Sequence, residues 1–265
     1  MSSAASQPTE PMGRAASDGV AASVDNGGLD PQLSRWGGVA GLGGVVLMLG
    51  AVGVVVAAGL PDASDAETLT DFADIESGRI AEHLLYLGAV VMFALHVAVL
   101  HRLLGTDRPA ALFGAVISMF GLVIMAASSL LHVSTSPLAA LHEAPGPARG
   151  DRQAVEYAWH GAQSVFDTML ATGVLLVPIG IVLLGVAMWR SRWFGHGVAA
   201  VSVALGAVGT LGAVLAVVDT ESDADAAAVL AVTLFHLVVG RRTLQLGNEA
   251  HVAGSTDRVD EPAAT

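Results

Sequence analysis

Five side chains able to exchange protons or bind a cation, Glu82, His83, His132, His160 and Asp167, stand at the edges of long apolar runs. Carboxylate and imidazole groups placed together accept and pass protons, and hold small cations through oxygen and ring-nitrogen lone pairs. A charged group costs about 2.5–3.5 kcal/mol at the centre of a membrane helix and less near its ends, so such residues point first to a site. The competing reading is plain: polar side chains at helix ends simply reach headgroup water. His160 and Asp167 are seven residues apart, about 20° apart around a helix, and Ser164 lies close to the same face. Counting about 20 residues from the arginine-flanked end of each run brings all five to one boundary of the membrane. They would form a single outer polar layer drawn from three helices.

A second group lies deeper. His96 and His236 are at comparable depth on different apolar runs, and each can stay neutral there by hydrogen bonding to a neighbouring helix. Bis-histidine haem ligation requires two such residues on facing helices, and His236 is the deep partner on offer for His96. His83 and His101 share a helical face, whereas His96 points about 140° away from them. No cofactor is expected from a single pair, but a haem-binding redox protein stands as one alternative.

Other chemistry is missing from the sequence. There are no cysteines and no lysines, which removes thiolate metal sites, disulfides and a P-loop. The LHEAP around His142 is not HExxH, GGVAGLGG lacks the spacing of a dinucleotide loop, and no GxSxG occurs. With no catalytic motif, an enzyme is not expected.

The elements that position these residues are read from hydropathy. Of the 265 residues 53% are hydrophobic and 14% charged, and the mean hydropathy is +0.63. The apolar residues gather into six runs, about 37–60, 80–104, 109–133, 160–189, 196–218 and 226–240. Most have the length needed to cross about 30 Å of hydrocarbon at 1.5 Å per residue. The sixth is short and would have to borrow from its flanks or thin the bilayer. Residues 1–34 and 246–265 are Ser-, Ala-, Gly- and Pro-rich or polar without periodicity, and read as disordered tails around a membrane domain at 35–245. The first apolar run begins too far in for a cleaved secretory signal.

Charge orients the bundle. Arg35, Arg102, Arg108, Arg190, Arg192, Arg241 and Arg242 flank one set of ends, while the first connector carries six acids and the fifth, DTESDADA, is wholly acidic. The positive-inside rule then places both termini in the cytoplasm. Trp36, Trp189 and Trp193 near the inner ends, and Tyr86, Tyr157 and Trp159 near the outer ends, suit interfacial anchoring. In the third run Gly114, Ser118, Gly121, Met125, Ser128 and His132 recur at spacings of three and four, a stripe that lets helices approach closely. Gly37 with Gly41, and Ser202 with Gly206 and Thr210, repeat the device, and Pro178 should kink the fourth run. The formal net charge of −12 argues against nucleic acid or an anionic lipid surface as the main partner.

The opening Arg35-Trp36-Gly37, the long acidic first connector, and FDTMLATGVLLVPIGIVLLGVAMWRSRWFGHGVA together resemble bacterial six-helix membrane proteins catalogued as a domain of unknown function, over residues 35–218. That resemblance implies a fold but no activity and no functional residues. The expectation is therefore an all-α polytopic protein of a prokaryotic plasma membrane, with six transmembrane helices and both termini cytoplasmic. Its partners are the lipid bilayer, an unidentified small solute, proton or cation met at the outer layer, and, as one option, further copies of itself. A membrane scaffold or sensory partner without transport is the other alternative.

Overall fold

The computed structural model describes residues 29–61, 69, 72–144, 146, 149–219 and 224–256. Their regular elements are helices: α1 (Pro31–Ala58), α2 (Phe72–Leu104), α3 (Pro109–Val133), α4 (Ser136–Glu143), α5 (Arg149–Trp189), α6 (Gly195–Val218) and α7 (Ala224–Thr256). All but the eight-residue α4 are long and apolar enough to cross a membrane. Local chemistry sets several boundaries. Asp30 Oδ1 accepts the N–H groups of Gln32 and Leu33 at 2.9 and 3.1 Å, and Pro31 opens α1 where its missing N–H costs nothing. The helix stops at Gly59, left-handed at φ 61°, whose N–H returns to Val55 O.

The six long helices close into a ring, α1–α2–α3–α5–α6–α7, with α7 packed back on α1 and α5 also touching α7 across the middle. The start of α1 and the last turns of α7 lie at one end of the bundle, because a Cβ on Gly247 of α7 would sit 2.8 Å from Pro31 O and Arg35 N of α1. The same end gathers the α2–α3 and α5–α6 connectors, and with them Arg35, Arg102, Arg108, Arg190, Arg192, Arg241 and Arg242.

Polarity is inverted relative to a water-soluble bundle. On α3 the stripe read from spacing is the inward face: Gly114, Ser118, Gly121, Met125, Ser128 and His132 are all buried. Leu112, Phe113, Val116, Phe120 and Val123 point outward at 42–62% exposure. Hydrocarbon outside offers apolar side chains no penalty, so small residues take the interior and contact comes from shape. A Cβ added to Gly180 of α5 would lie 2.7 Å from the backbone atoms Gly114 O and Ser118 N of α3. The helix passes unbroken through Pro178, whose ring is received by Gly209 of α6. These features make the chain a multi-pass membrane protein.

Several expectations are corrected. The sixth span is not short: α7 runs 33 residues, well past the 226–240 run and through 246–256, which had read as tail. Helix also begins at Pro31, inside the 1–34 segment. The hydropathy of the flanking sequence is low, yet Phe235, Val239, Thr243, Leu246 and Gly247 carry one buried face onward. Residues 1–28 and 257–265, and most of the acidic first and fifth connectors, fall outside the described residues. Trp159 is fully buried rather than interfacial, whereas Trp36 and Tyr157 are exposed at 65% and 68% as anchors require.

Gly180→Ala should lower stability by about 1–3 kcal/mol, because α3 and α5 must separate to admit a methyl group. Gly53→Ala, with nothing within 4 Å of the added carbon, should be neutral or stabilising by about 0.5–1 kcal/mol. Thermal unfolding of the two variants in the same detergent checks the contrast; equal midpoints would contradict the close packing.

Candidate functional site

At the arginine-poor end α2, α3 and α5 meet. The rings of His83 and His132 lie 4.5 Å apart between centroids, with Phe166 4.8 Å from His132 and Trp159 6.5 Å from it. Arg79, one turn before His83, is 3% exposed. Its Nη1 donates to Glu82 Oε2 at 2.9 Å, and its Nη2 donates to the Pro61 carbonyl, which ties the end of α1 to α2. Beside the imidazoles is a cavity of about 120 Å³, bordered among others by Glu82, His83, Tyr86, Ser128, Ser129 and Asp225. That is room for a handful of waters or a small hydrated ion, not for a sugar or nucleotide.

The contacts with Ser129 suit one neutral tautomer of His83. Ser129 Oγ donates to His83 O at 3.1 Å and lies 3.2 Å from His83 Nδ1. A hydroxyl has one hydrogen, so with that hydrogen on the carbonyl the oxygen must accept from Nδ1–H. The neutral ring then carries its lone pair on Nε2, which is buried and has no hydrogen-bond partner among the described residues. In that tautomer the basic nitrogen of His83 has no partner among the described residues.

Of the layer read from sequence, Glu82, His83 and His132 converge, and two members do not join them. His160 is exposed, and Asp167 is half-buried without a place on the cavity wall. The inward face of α5 is set by Trp159, Gln163 and Phe166, each one position before an expected residue and so about 100° round the helix. Choosing the face by its ionisable residues missed it; the i, i+4, i+7 spacing of Trp159, Gln163 and Phe166 was the available signal. Arg79 and Ser129 were missed too. The first is on the 79-83-86-90 stripe of α2, and the second adjoins the small-residue stripe of α3.

The deep pair does meet. His96 Nδ1 and His236 Nδ1 are 2.8 Å apart, both rings fully buried. Phe93 stacks on His236 at 3.9 Å and 10°. A Cβ at Gly41 of α1 would come 2.7 Å from His96 Nδ1, so glycine there admits the ring. One Nδ1 must donate and the other accept, so the rings hold opposite tautomers. The two Nδ1 atoms do not stand on opposite sides of one haem iron, since ring nitrogens bond a metal at about 2.0–2.1 Å and a trans pair would be about 4 Å apart. Among the described residues no group of three or more His, Asp or Glu is arranged to hold a metal ion.

His83 and His96 are 13 residues apart on α2, about 20 Å along its axis and on roughly opposite sides of it. One helix thus presents a histidine to α3 near one end and another to α7 toward the other end.

Replacing His96 or His236 singly by Ala leaves a buried imidazole with an unmet ring nitrogen, at about 1–3 kcal/mol. The two losses should therefore exceed that of the double variant by a similar amount. A double-mutant cycle on unfolding in detergent measures it, and simple additivity would show that the bond contributes nothing.

No curated protein and no solved structure matches the chain. Residues 36–241 match the family described as Domain of unknown function (DUF4386), which takes in all six membrane-spanning helices at least in part, and the chain belongs to that family.

Proposed function

We propose that the protein handles protons or a small cation within the membrane, at the cluster of Glu82, His83 and His132. The observation that carries this reading is the uncommitted Nε2 lone pair of His83 beside a small polar-edged cavity. An unmet polar atom in a dry interior costs about 1–3 kcal/mol; the Nε2 atoms of His96 and His236 are open as well, and what sets His83 apart from that pair is the cavity it borders. A base that must receive a proton or ion has to keep one nitrogen open.

The groups around the cavity complete the chemistry. Glu82 supplies negative charge, itself balanced by Arg79, and Asp225 at the start of α7 marks the rim open to water. His132 adds a second imidazole in ring contact, and Gln163 lies within its hydrogen-bonding reach. A proton arriving at His83 Nε2 would be shared with neighbours that tolerate it, while Tyr86, with its hydroxyl buried, bounds the floor. By the positive-inside rule the arginine-rich end faces the cytoplasm of a prokaryotic cell, both termini included, and the histidine cluster faces outward.

The full chain in liposomes containing a pH-sensitive dye should dissipate an imposed proton or alkali-cation gradient faster than protein-free vesicles. His83→Gln, which lacks the basic nitrogen, should bring the rate to that of empty vesicles. Leu49→Ala, at a lipid-facing position of α1 61% exposed, should leave it unchanged. No flux above background under any of these gradients, or full flux in a folded His83→Gln variant, would remove the proposal and favour a scaffold role.

A further inference from the structure

We infer that the arginine-rich end of the bundle contains a binding site for a phosphate-bearing anion. It lies at the opposite end from the histidine cluster and does not depend on that cluster's function. A cavity of about 590 Å³ opens between the first turn of α1 and the α2–α3 and α5–α6 connectors. Four guanidinium groups line it: Arg102 from the end of α2, Arg108 from the turn before α3, and Arg190 and Arg192 from the α5–α6 connector. Two aspartates also line it, so the wall carries a formal surplus of two positive charges, four less two. Asp30 is already engaged, because its Oδ1 caps α1 through the N–H groups of Gln32 and Leu33.

Arg108 is the central observation. It is half-buried, and its Nη1 is enclosed without a hydrogen-bond partner. A buried, charged donor left unmet is costly, and an anion with several oxygens would meet it. Arg108 also stands at the N-cap of α3 without capping it through its side chain, so the positive end of that helix dipole adds to the field at the cavity rim.

The connector that carries Arg190 and Arg192 is held in place. Arg242 of α7 donates its Nε and Nη2 to the Trp193 carbonyl at 3.3 and 3.1 Å, which clamps the connector bearing Arg190 and Arg192. Arg192 lies over the Trp193 ring, 4.4 Å from its centroid, and Ser191 Oγ accepts the Trp193 N–H. A planar guanidinium takes two oxygens of one phosphate side by side, a recognition an ammonium cannot give, and every cation of this chain is an arginine. The volume exceeds inorganic phosphate and suits a phosphate carrying an organic group. Trp36 and Trp189, exposed beside this end, put the cavity at the level of lipid headgroups. The phosphate therefore belongs either to an anionic lipid headgroup or to a soluble phosphate compound reaching the same cavity.

The test uses the full chain in nanodiscs of phosphatidylcholine, of phosphatidylcholine with phosphatidylglycerol, and of phosphatidylcholine with added inorganic pyrophosphate. Thermal midpoints are read for the wild type, Arg108→Gln, Arg190→Gln and Arg241→Gln, the last an exposed arginine at the same end but off the cavity wall. At least one anion should raise the wild-type midpoint by several degrees, as a ligand bound only by the folded state does. Arg241→Gln should retain that rise and Arg108→Gln lose it; should Arg108→Gln not fold, Arg190→Gln takes its place. A response to phosphatidylglycerol alone identifies the headgroup, and one to pyrophosphate alone a soluble phosphate. The inference fails if neither anion raises the midpoint, if the cavity variants respond like the wild type, or if Arg241→Gln loses as much as they do.

Discussion

Hydrocarbon gives a polar group nothing to bond with, and that constraint orders the molecule. Every backbone N–H in a span must close within its own helix, so the described elements are helices and the long ones match the membrane in length. Side chains follow the same rule. Ser34, Ser118, Ser128, Ser202, His83, His96, His132 and His236 are turned inward, while valines, leucines and phenylalanines take the outer surface. With no hydrophobic gain from bringing apolar faces together, the bundle is held by contact at short range, and glycine is what makes contact short. Gly114, Gly121, Gly173 and Gly180 let α3 and α5 touch backbone to backbone, and Gly41 and Gly240 do the same where α1 meets α7.

Much of this was legible. Length and hydropathy depend on the sum over a run and survive errors at single residues, so six spans could be read without any knowledge of packing. The α3 stripe was legible because six residues repeat one spacing, and the matched depth of His96 and His236 followed from counting. What failed was rotation. The face of α5 was placed by His160 and Asp167, but a ring of six helices decides its inward faces by mutual fit, and Trp159, Gln163 and Phe166 won by one residue. The length of α7 was misread for a related reason. Its later turns carry Arg241, Gln245, Asn248 and Glu249 on the outer face, which lowers mean hydropathy without interrupting the buried stripe of Thr243, Leu246 and Gly247. Arg79 was invisible because a lone arginine in an acidic connector looks like a solvated charge until Pro61 and Glu82 are seen to enclose it.

The closed ring gives α2 a particular place. It adjoins α1 on one side and α3 on the other, and its two buried histidines divide between those sides. His96 is spent on His236, a bond that holds α2 to α7 behind α1 and that the glycine at position 41 makes room for. His83, like His96, is engaged only through its Nδ1. Two imidazoles on one helix therefore differ in their surroundings rather than in their open nitrogens: Ser129 and a small cavity beside one, another imidazole against the other.

The two ends of the bundle divide the chemistry by sign. At one end the uncommitted atom is a lone pair, on His83 Nε2, with carboxylates nearby; at the other it is a donor, on Arg108 Nη1, among further guanidinium groups. An overall charge of −12 conceals this, because the acids lie largely in connectors and tails while seven of the twelve arginines, Arg35, Arg102, Arg108, Arg190, Arg192, Arg241 and Arg242, gather at one end. In water such a separation would be screened within about 10 Å. Across a low-dielectric slab it is not, so each end presents its own local balance of charge to an approaching ion. Net charge is thus a poor guide to the partners of a membrane protein, and the local balance at each end is the quantity that physical chemistry constrains.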